Sequence, residues 1–148
     1  MIEGLAEVER KLKLLPERIG NNALRRALRK GANVIRDQAR ANAKQIDNPQ
    51  TREQISKNIA VQGGGRRREK AAGGVMMRVG VRGGARHTNA ESSLPGGNTT
   101  HWRWVEMGTS EVAARPFMRS AAASKAPEVF ARVASDMATQ LDRELAKL

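Results

Sequence analysis

Apolar residues in the first fifty positions recur every three or four residues, a spacing that predicts helix. The first series consists of Leu5, Val8, Leu12 and Leu15. The second, after Pro16, consists of Ile19, Leu24, Leu28, Val34 or Ile35, and Ala39. Pro16 either begins a second helix in its first turn or kinks one long helix, because it has no backbone N–H for a helix interior. Asp47-Asn48-Pro49 ends the pattern, so we predict a helical arm over residues 1–47.

In the middle of the chain the apolar period shortens to two, which predicts strands. Residues 75–82 alternate in this way, residues 55–62 are also predicted as a strand, and residues 101–107 (HWRWVEM) form a third predicted strand with Trp102, Trp104 and Glu106 on one face. Two long stretches, 63–74 and 83–100, are rich in glycine and nearly free of large apolar residues. Loops of this kind are functional or become ordered only on a partner. The sequence therefore predicts a sheet over residues 55–107 with mobile loops at 63–74 and 83–100.

The last third of the chain returns to helical spacing. Pro116 is suited to the first turn of a helix, and Ala126-Pro127 divides the following apolar series into a short and a longer helix. The predicted fold class is α+β in a single domain over residues 1–148. It consists of a long N-terminal helix, a small antiparallel sheet of three to four strands with long loops, and C-terminal helices over residues 115–147 that pack on the sheet.

The positive charge is concentrated in the middle of the sequence. The chain has 27 Lys and Arg against 15 Asp and Glu, for a net charge of +12. Residues 18–90 hold 17 of the basic and 4 of the acidic residues. A basic field of this kind favours contact with nucleic acid or with an acidic protein surface, without choosing between them. Hydrophobic residues make up only 39 %, and many are alanine, so the expected core is thin and stability can depend on assembly.

No arrangement of residues that could carry catalysis is found in the sequence. The two histidines, His87 and His101, lack further ligands at metal-binding spacing, and there is no cysteine. The glycine clusters lack the Lys-Ser/Thr ending of a phosphate-binding loop. We therefore expect neither an enzyme nor a metal or cofactor. The N-terminus is amphipathic and charged, unlike a signal peptide, and no stretch is apolar enough for a membrane span.

Four basic residues in the 63–74 stretch are candidates for binding an anionic partner: Arg66, Arg67, Arg68 and Lys70. On a flexible loop they could contact DNA phosphates without reading sequence, or an acidic protein. Charged loop tips also occur simply because they keep proteins in solution. Both interpretations stay open from the sequence, and so does a sequence-nonspecific nucleic-acid-binding function for the basic middle segment.

Three of the four aromatic residues, Trp102, Trp104 and Phe117, lie within 16 residues of one another. They form either a core hinge between strand, turn and helix or a surface for another molecule, and we favour the hinge. Gly108 permits a sharp turn, and Phe117 can fold back onto a Trp as an aromatic pair. Glu106 is expected to accept hydrogen bonds from the backbone of the following turn, or otherwise to form an ion pair.

The residues of this region also carry a family resemblance. Trp104-Val105-Glu106-Met107-Gly108-Thr109, followed by Ala114-Arg115-Pro116-Phe117-Met118-Arg119 and Ala121, resembles a signature of the tail-completion, or head–tail joining, proteins of long-tailed phages, often called minor tail components. The resemblance implies a non-enzymatic virion protein that forms a ring of six in the neck. The implied partners are the tail-tube or tail-terminator ring, the connector or stopper of the head, and packaged DNA. It also implies assembly in the host cytoplasm, with no membrane partner.

For site residues, the resemblance points to a core hinge or subunit interface, composed of Trp102, Trp104, Glu106, Gly108, Thr109, Pro116 and Phe117.

Overall fold

A computed structural model describes residues 4–83 and 93–148. In chain order the described elements are α1 (Leu5–Lys13), α2 (Glu17–Ile46), α3 (Ile55–Asn58), β1 (Ile59–Gly63), α4 (Gly65–Ala72), β2 (Met77–Val81), α5 (Trp102–Met107) and α6 (Met118–Leu145). The two strands pair in an antiparallel sheet. The α+β class and the long N-terminal helix are thus confirmed. Pro16 stands between α1 and α2, and its carbonyl accepts the first hydrogen bonds of α2, from Ile19 and Gly20.

The chain forms two compact units, each with its own apolar cluster. The first unit consists of residues 1–34, 62–78 and 126–148. The buried residues of its apolar cluster are Leu15, Ala23, Ala27, Met137 and Leu141. Gly31 is required for the close approach of α6, because a Cβ at this position would lie 2.5 Å from Cγ2 of Val133. Asp136, 9 % exposed, accepts hydrogen bonds from Lys30 and Gln140, each at 2.5 Å.

The second unit consists of residues 35–61 and 79–125. The buried residues of its apolar cluster are Ala39, Ala43, Ile55, Ile59, Phe117 and Ala121, with Val79 and Val81 of β2 packed against them. Alanine supplies three of the six, which allows α2 and α6 to lie close together but leaves little apolar area to bury. The largest side chain of this cluster is therefore Phe117, which is 0 % exposed.

The prediction of three to four strands is wrong for the described residues, because the third strand, 101–107, is helix α5. A short apolar run fits either period, and packing decides between them. In the helix, Trp102 and Val105, three residues apart, both pack against the second unit's cluster. Glu106 is buried beside them, whereas Trp104 and Met107 are exposed. Residues 102–107 are therefore helical rather than extended, because the helix brings the Glu106 carboxylate to the start of α6.

Residues 55–58 also form a helical turn where a strand was predicted, and β1 begins only at Ile59. The cause is Asp47, whose carboxylate accepts the backbone N–H groups of Ile55 at 2.8 Å and Ser56 at 3.0 Å. At the start of a helix, these two backbone N–H groups have no acceptor within the helix itself. The Asn58 side chain, fully buried, then binds the backbone of Gly96 and Gly97 and the hydroxyl of Thr99.

The predicted mobile loop over 63–74 contains helix α4, which corrects that prediction. Arg, Glu, Lys and Ala are good helix formers, and they outweigh the glycines at both ends. Gly73, with φ of 73°, ends the helix in a left-handed conformation. Of the second predicted loop, 83–100, residues 84–92 lie outside the described residues.

The C-terminal tract is one helix, α6, rather than the two helices predicted on either side of Ala126-Pro127. Pro127 cannot donate to the carbonyl four residues earlier, a loss that costs about 3 kcal/mol in a helix interior. The helix nevertheless continues, because both of its halves are held by packing. Ala121 is buried in the second unit, and Met137 and Leu141 are buried in the first.

Candidate functional site

Glu106, at the end of α5, is the centre of the predicted hinge. Its carboxylate accepts the backbone N–H groups of Phe117 at 2.8 Å, Met118 at 2.9 Å and Arg119 at 2.9 Å. Nε of Arg119 donates to the same carboxylate at 3.2 Å, and its Nη2 donates to the Glu106 carbonyl at 2.5 Å. Glu106 thus accepts backbone hydrogen bonds as expected, but from the start of α6 rather than from the turn that follows it, and the alternative ion pair also forms, with Arg119. The carboxylate caps α6, where three orphan N–H groups and the helix dipole favour a negative charge.

The surroundings of Glu106 keep its carboxyl ionised. Burial by itself raises the pKa of this carboxyl, but the hydrogen bonds from the three backbone N–H groups and from Arg119 outweigh burial. The pKa of Glu106 is therefore lowered below its ordinary value of 4.5. A carboxylate held in this way is a structural anion, since a group that must stay charged is poorly suited to proton transfer.

Gly108 and Thr109 shape the turn between α5 and α6. Gly108 has φ of 76°, and a Cβ there would lie 2.7 Å from the backbone nitrogen of Ala114. The N–H of Thr109 donates to the Val112 carbonyl at 2.8 Å, and the Thr109 hydroxyl accepts the Val112 N–H at 3.0 Å. The turn therefore requires glycine at its first position and a hydroxyl at its second.

The predicted aromatic cluster is divided by the structure. Phe117 is fully buried, and Trp102 is half-buried against the same apolar cluster. Trp104 is 64 % exposed. The guanidinium of Arg103 lies 5.4 Å from the ring centre of Trp102, within range of a cation–π contact. Pro116 is exposed, and its carbonyl accepts the Ser120 hydroxyl at 2.7 Å.

Exposed apolar side chains occur on both units. On the second unit, Trp104 and Met107 share one face of α5, and Val112 follows in the next turn; each is more than 60 % exposed. We call these three residues the α5 patch. On the first unit, α1 and α6 border a groove of about 720 Å³ that includes Val8, Phe130 and several alanines. Both surfaces are apolar areas with no partner among the described residues.

The four basic candidates of the 63–74 stretch are all exposed on α4 of the first unit. They are Arg66, Arg67, Arg68 and Lys70. None of them forms an ion pair with a described residue. The acidic residue among them, Glu69, binds Arg25 of α2 at 2.5 Å and the N–H of Met76 at 3.2 Å. These contacts lower the pKa of Glu69, the Met76 N–H being the larger cause.

Some residues of the site were missed by the sequence analysis. Arg119 stood inside the quoted motif, and its spacing of one helical turn from Pro116 was the available signal. Asp47 and Asn58 gave no signal, because their partners lie outside any local pattern, 8 and 9 positions away for Asp47 and 38 to 41 positions away for Asn58. Among residues 4–83 and 93–148, no three His, Asp or Glu side chains are grouped as metal ligands. No helix in these ranges has the length and apolarity to cross a membrane.

A protein-family model matches more than half of the chain. The model of the HK97-gp10-like family, described as "Bacteriophage HK97-gp10, putative tail-component", matches residues 6–108, which is 103 of the 148 residues. The matched span includes α5 with Glu106 and ends at Gly108, before α6. No curated protein and no solved structure matches the chain. The chain belongs to the HK97-gp10-like family of bacteriophage tail components, and it is a structural part of the virion.

Proposed function

We propose that the chain completes the tail at its head-proximal end and joins it to the head. In this proposal a single domain of 148 residues assembles in the host cytoplasm into a ring of six. The ring lies between the tail-tube or tail-terminator ring and the connector or stopper of the head. The motif around Glu106 and Phe117, which resembles that of tail-completion proteins, supports this position, and so does membership of a tail-component family.

The observation that carries the proposal is the amount of apolar surface left exposed. Two of the four aromatic side chains, Trp104 and Phe130, are 64 % and 55 % exposed. Exposed aromatic and methionine side chains are typical of protein interfaces. The alanine-rich clusters of both units bury little, so further stability from neighbouring subunits is in keeping with a structural role.

Electron microscopy of a phage lysate tests the joining role. With this reading frame stopped early in the parent phage, we expect DNA-filled heads beside separate tails. The matched control is a synonymous change at the same codon, which should leave complete particles. Complete and infectious particles from the stopped frame would refute the joining role.

The α5 patch provides a test of assembly that is separate from stability. Trp104→Ala should change the free energy of unfolding by less than about 0.5 kcal/mol, because the side chain is exposed. We expect the same variant to reduce incorporation into particles, measured by complementation of the stopped frame. Glu111→Ala, at an exposed position in the turn after α5, is the control for a surface change beside the patch. Normal incorporation of the Trp104 variant would exclude the patch as an interface.

The second candidate function is sequence-nonspecific binding of nucleic acid. It is favoured by α4, which exposes Arg66, Arg67, Arg68 and Lys70 without ion pairs to described residues. Fluorescence anisotropy with random duplex DNA over a salt series separates the two functions. Sub-micromolar affinity with a steep salt slope at physiological salt would favour a free nucleic-acid-binding protein. Weak binding that is lost near ~0.15 M salt would favour the joining protein.

A further inference from the structure

A basic pocket on the second unit is not explained by either function as it stands. It has a volume of about 490 Å³ and is lined by Arg40, Ala41, Lys44, Ser56, Lys57 and Pro95. Three of these six residues are cationic and none is acidic. Two acidic residues lie three positions from a cation of the pocket: Asp37 is paired with Arg36, and Asp47 accepts backbone N–H groups of α3. The pocket is therefore positively charged and open to an anion.

The cations are arranged by the ends of two helices. Arg40 and Lys44 lie one turn apart on α2, and Lys57 lies at the end of α3. The Arg40 guanidinium is fixed by the Ile59 carbonyl, which accepts Nε at 3.0 Å and Nη2 at 2.7 Å. Three of its five N–H donors stay available. Lys44 and Lys57 are exposed and form no ion pair with the described residues.

Ser56 adds a hydroxyl to the pocket. The residue is 8 % exposed and lines the pocket beside the cations. Its backbone N–H donates to Asp47, which orients the residue at the start of α3. A hydroxyl donor beside three cations is suited to an oxyanion.

We propose that this pocket binds a phosphate group of a nucleic-acid backbone. Arg40 is already positioned, so binding costs it little conformational entropy. The lysine ammonium is a compact point charge, so it can bind a phosphate oxygen without a planar, two-point arrangement of the kind found in arginine–carboxylate pairs. The inference rests on the proposed function only for the source of the phosphate, which is packaged DNA. It assigns DNA contact to residues 40, 44, 56 and 57 in addition to α4.

The test is anisotropy of the purified full-length chain with a short random duplex DNA, at several salt concentrations. Lys44→Gln combined with Lys57→Gln should weaken binding by about tenfold or more and reduce the salt slope by about two. The matched control, Arg82→Gln combined with Arg143→Gln, removes the same charge from two exposed side chains without ion pairs to described residues. It should weaken binding far less. Equal losses in the two double variants would overturn the pocket and leave only a general charge effect.

Ser56→Ala tests the contribution of the hydroxyl separately from that of the cations, because it leaves the net charge unchanged. It should weaken DNA binding about fivefold, the value of one hydrogen bond, with an unchanged melting temperature. No change in affinity on Ser56→Ala would overturn the role of the hydroxyl. A poly-glutamate peptide serves as the competing ligand. If the peptide bound as tightly as DNA and was equally sensitive to both changes, the pocket would be a site for acidic protein segments.

The differences between variants are independent of the joining role. They compare affinities within the isolated chain, whereas the joining role is tested by particles from the stopped frame and by the absolute affinity of the wild type. Complete particles would remove the proposed function and leave a measured pocket in place. Wild-type affinity in the Lys44 and Lys57 double variant would remove the pocket and leave the joining role untouched.

Discussion

Glu106→Ala should lower the free energy of unfolding by about 3 kcal/mol or more, because hydrogen bonds to a charged acceptor contribute about 1.5–3 kcal/mol each. The substitution leaves the N–H groups of Phe117, Met118 and Arg119 without their acceptor. It also removes a negative charge from the start of α6, where the helix dipole favours one. Urea unfolding followed by circular dichroism measures the change.

Two further variants show whether the loss comes from the cap. Glu106→Gln keeps the shape and part of the hydrogen bonding, so we expect a smaller loss than with alanine. Glu111→Ala removes an exposed carboxylate from the neighbouring turn, and should change stability by less than about 0.5 kcal/mol. If Glu106→Ala and Glu111→Ala unfolded alike, the cap would not hold α6 in place.

The same carboxylate gives stability a defined pH dependence. Because the pKa of Glu106 is lower in the folded chain than its ordinary value of 4.5, the unfolded state binds the proton more tightly. The contribution is fully present above pH 4.5 and is lost as the pH falls through the folded pKa. Glu106→Gln should therefore lose less stability than the wild type on acidification below pH 4.5. Parallel curves for the two proteins would contradict this assignment.

Phe117→Ala should cost about 3–5 kcal/mol, the range for large aromatic side chains removed from a core. Phe117 is 0 % exposed and is the largest side chain in a cluster that is half alanine. Small neighbours cannot close a cavity of this size by rotating. The measurement is again the urea midpoint at constant slope.

Phe130→Ala is a matched control for this prediction. It deletes the same side chain from a position that is 55 % exposed, so the expected loss is below about 1.5 kcal/mol. A similar loss for both phenylalanines would mean that Phe117 does not hold the second unit's cluster together.

The sequence predicted best where one local rule acted alone. The 3.6-residue period of the first fifty residues gave α1 and α2, and Glu106 was recognised because an acidic residue stood among aromatics before a Pro-Phe helix start. The prediction put Trp104 on the same face as Trp102, because the six residues 102–107 are compatible with both a strand and a helix. The decision between them rests on the contact of Glu106 with α6, which no local pattern contains.

Elsewhere the decisive interactions join residues that no local sequence pattern connects. Asp47 converts residues 55–58 into a helical turn through two backbone hydrogen bonds. Proline usually interrupts a helix, yet Pro127 lies inside α6. Packing of the helix on both sides of Pro127 outweighs the cost of one missing backbone hydrogen bond. The basic pocket was hidden for the same reason. Its lysines are 13 positions apart, and only the turn at residues 47–54 brings them to one site.

The cap on α6 also bears on where this chain can be cut. The family match ends at Gly108, whereas the backbone groups that Glu106 binds belong to residues 117–119. A fragment limited to the matched residues would keep Glu106 and lose the backbone N–H groups that its carboxylate binds. It would also lack Phe117, the side chain that covers Ile55 and Ile59. Residues beyond the matched span are therefore expected to be needed for the ones inside it to be ordered.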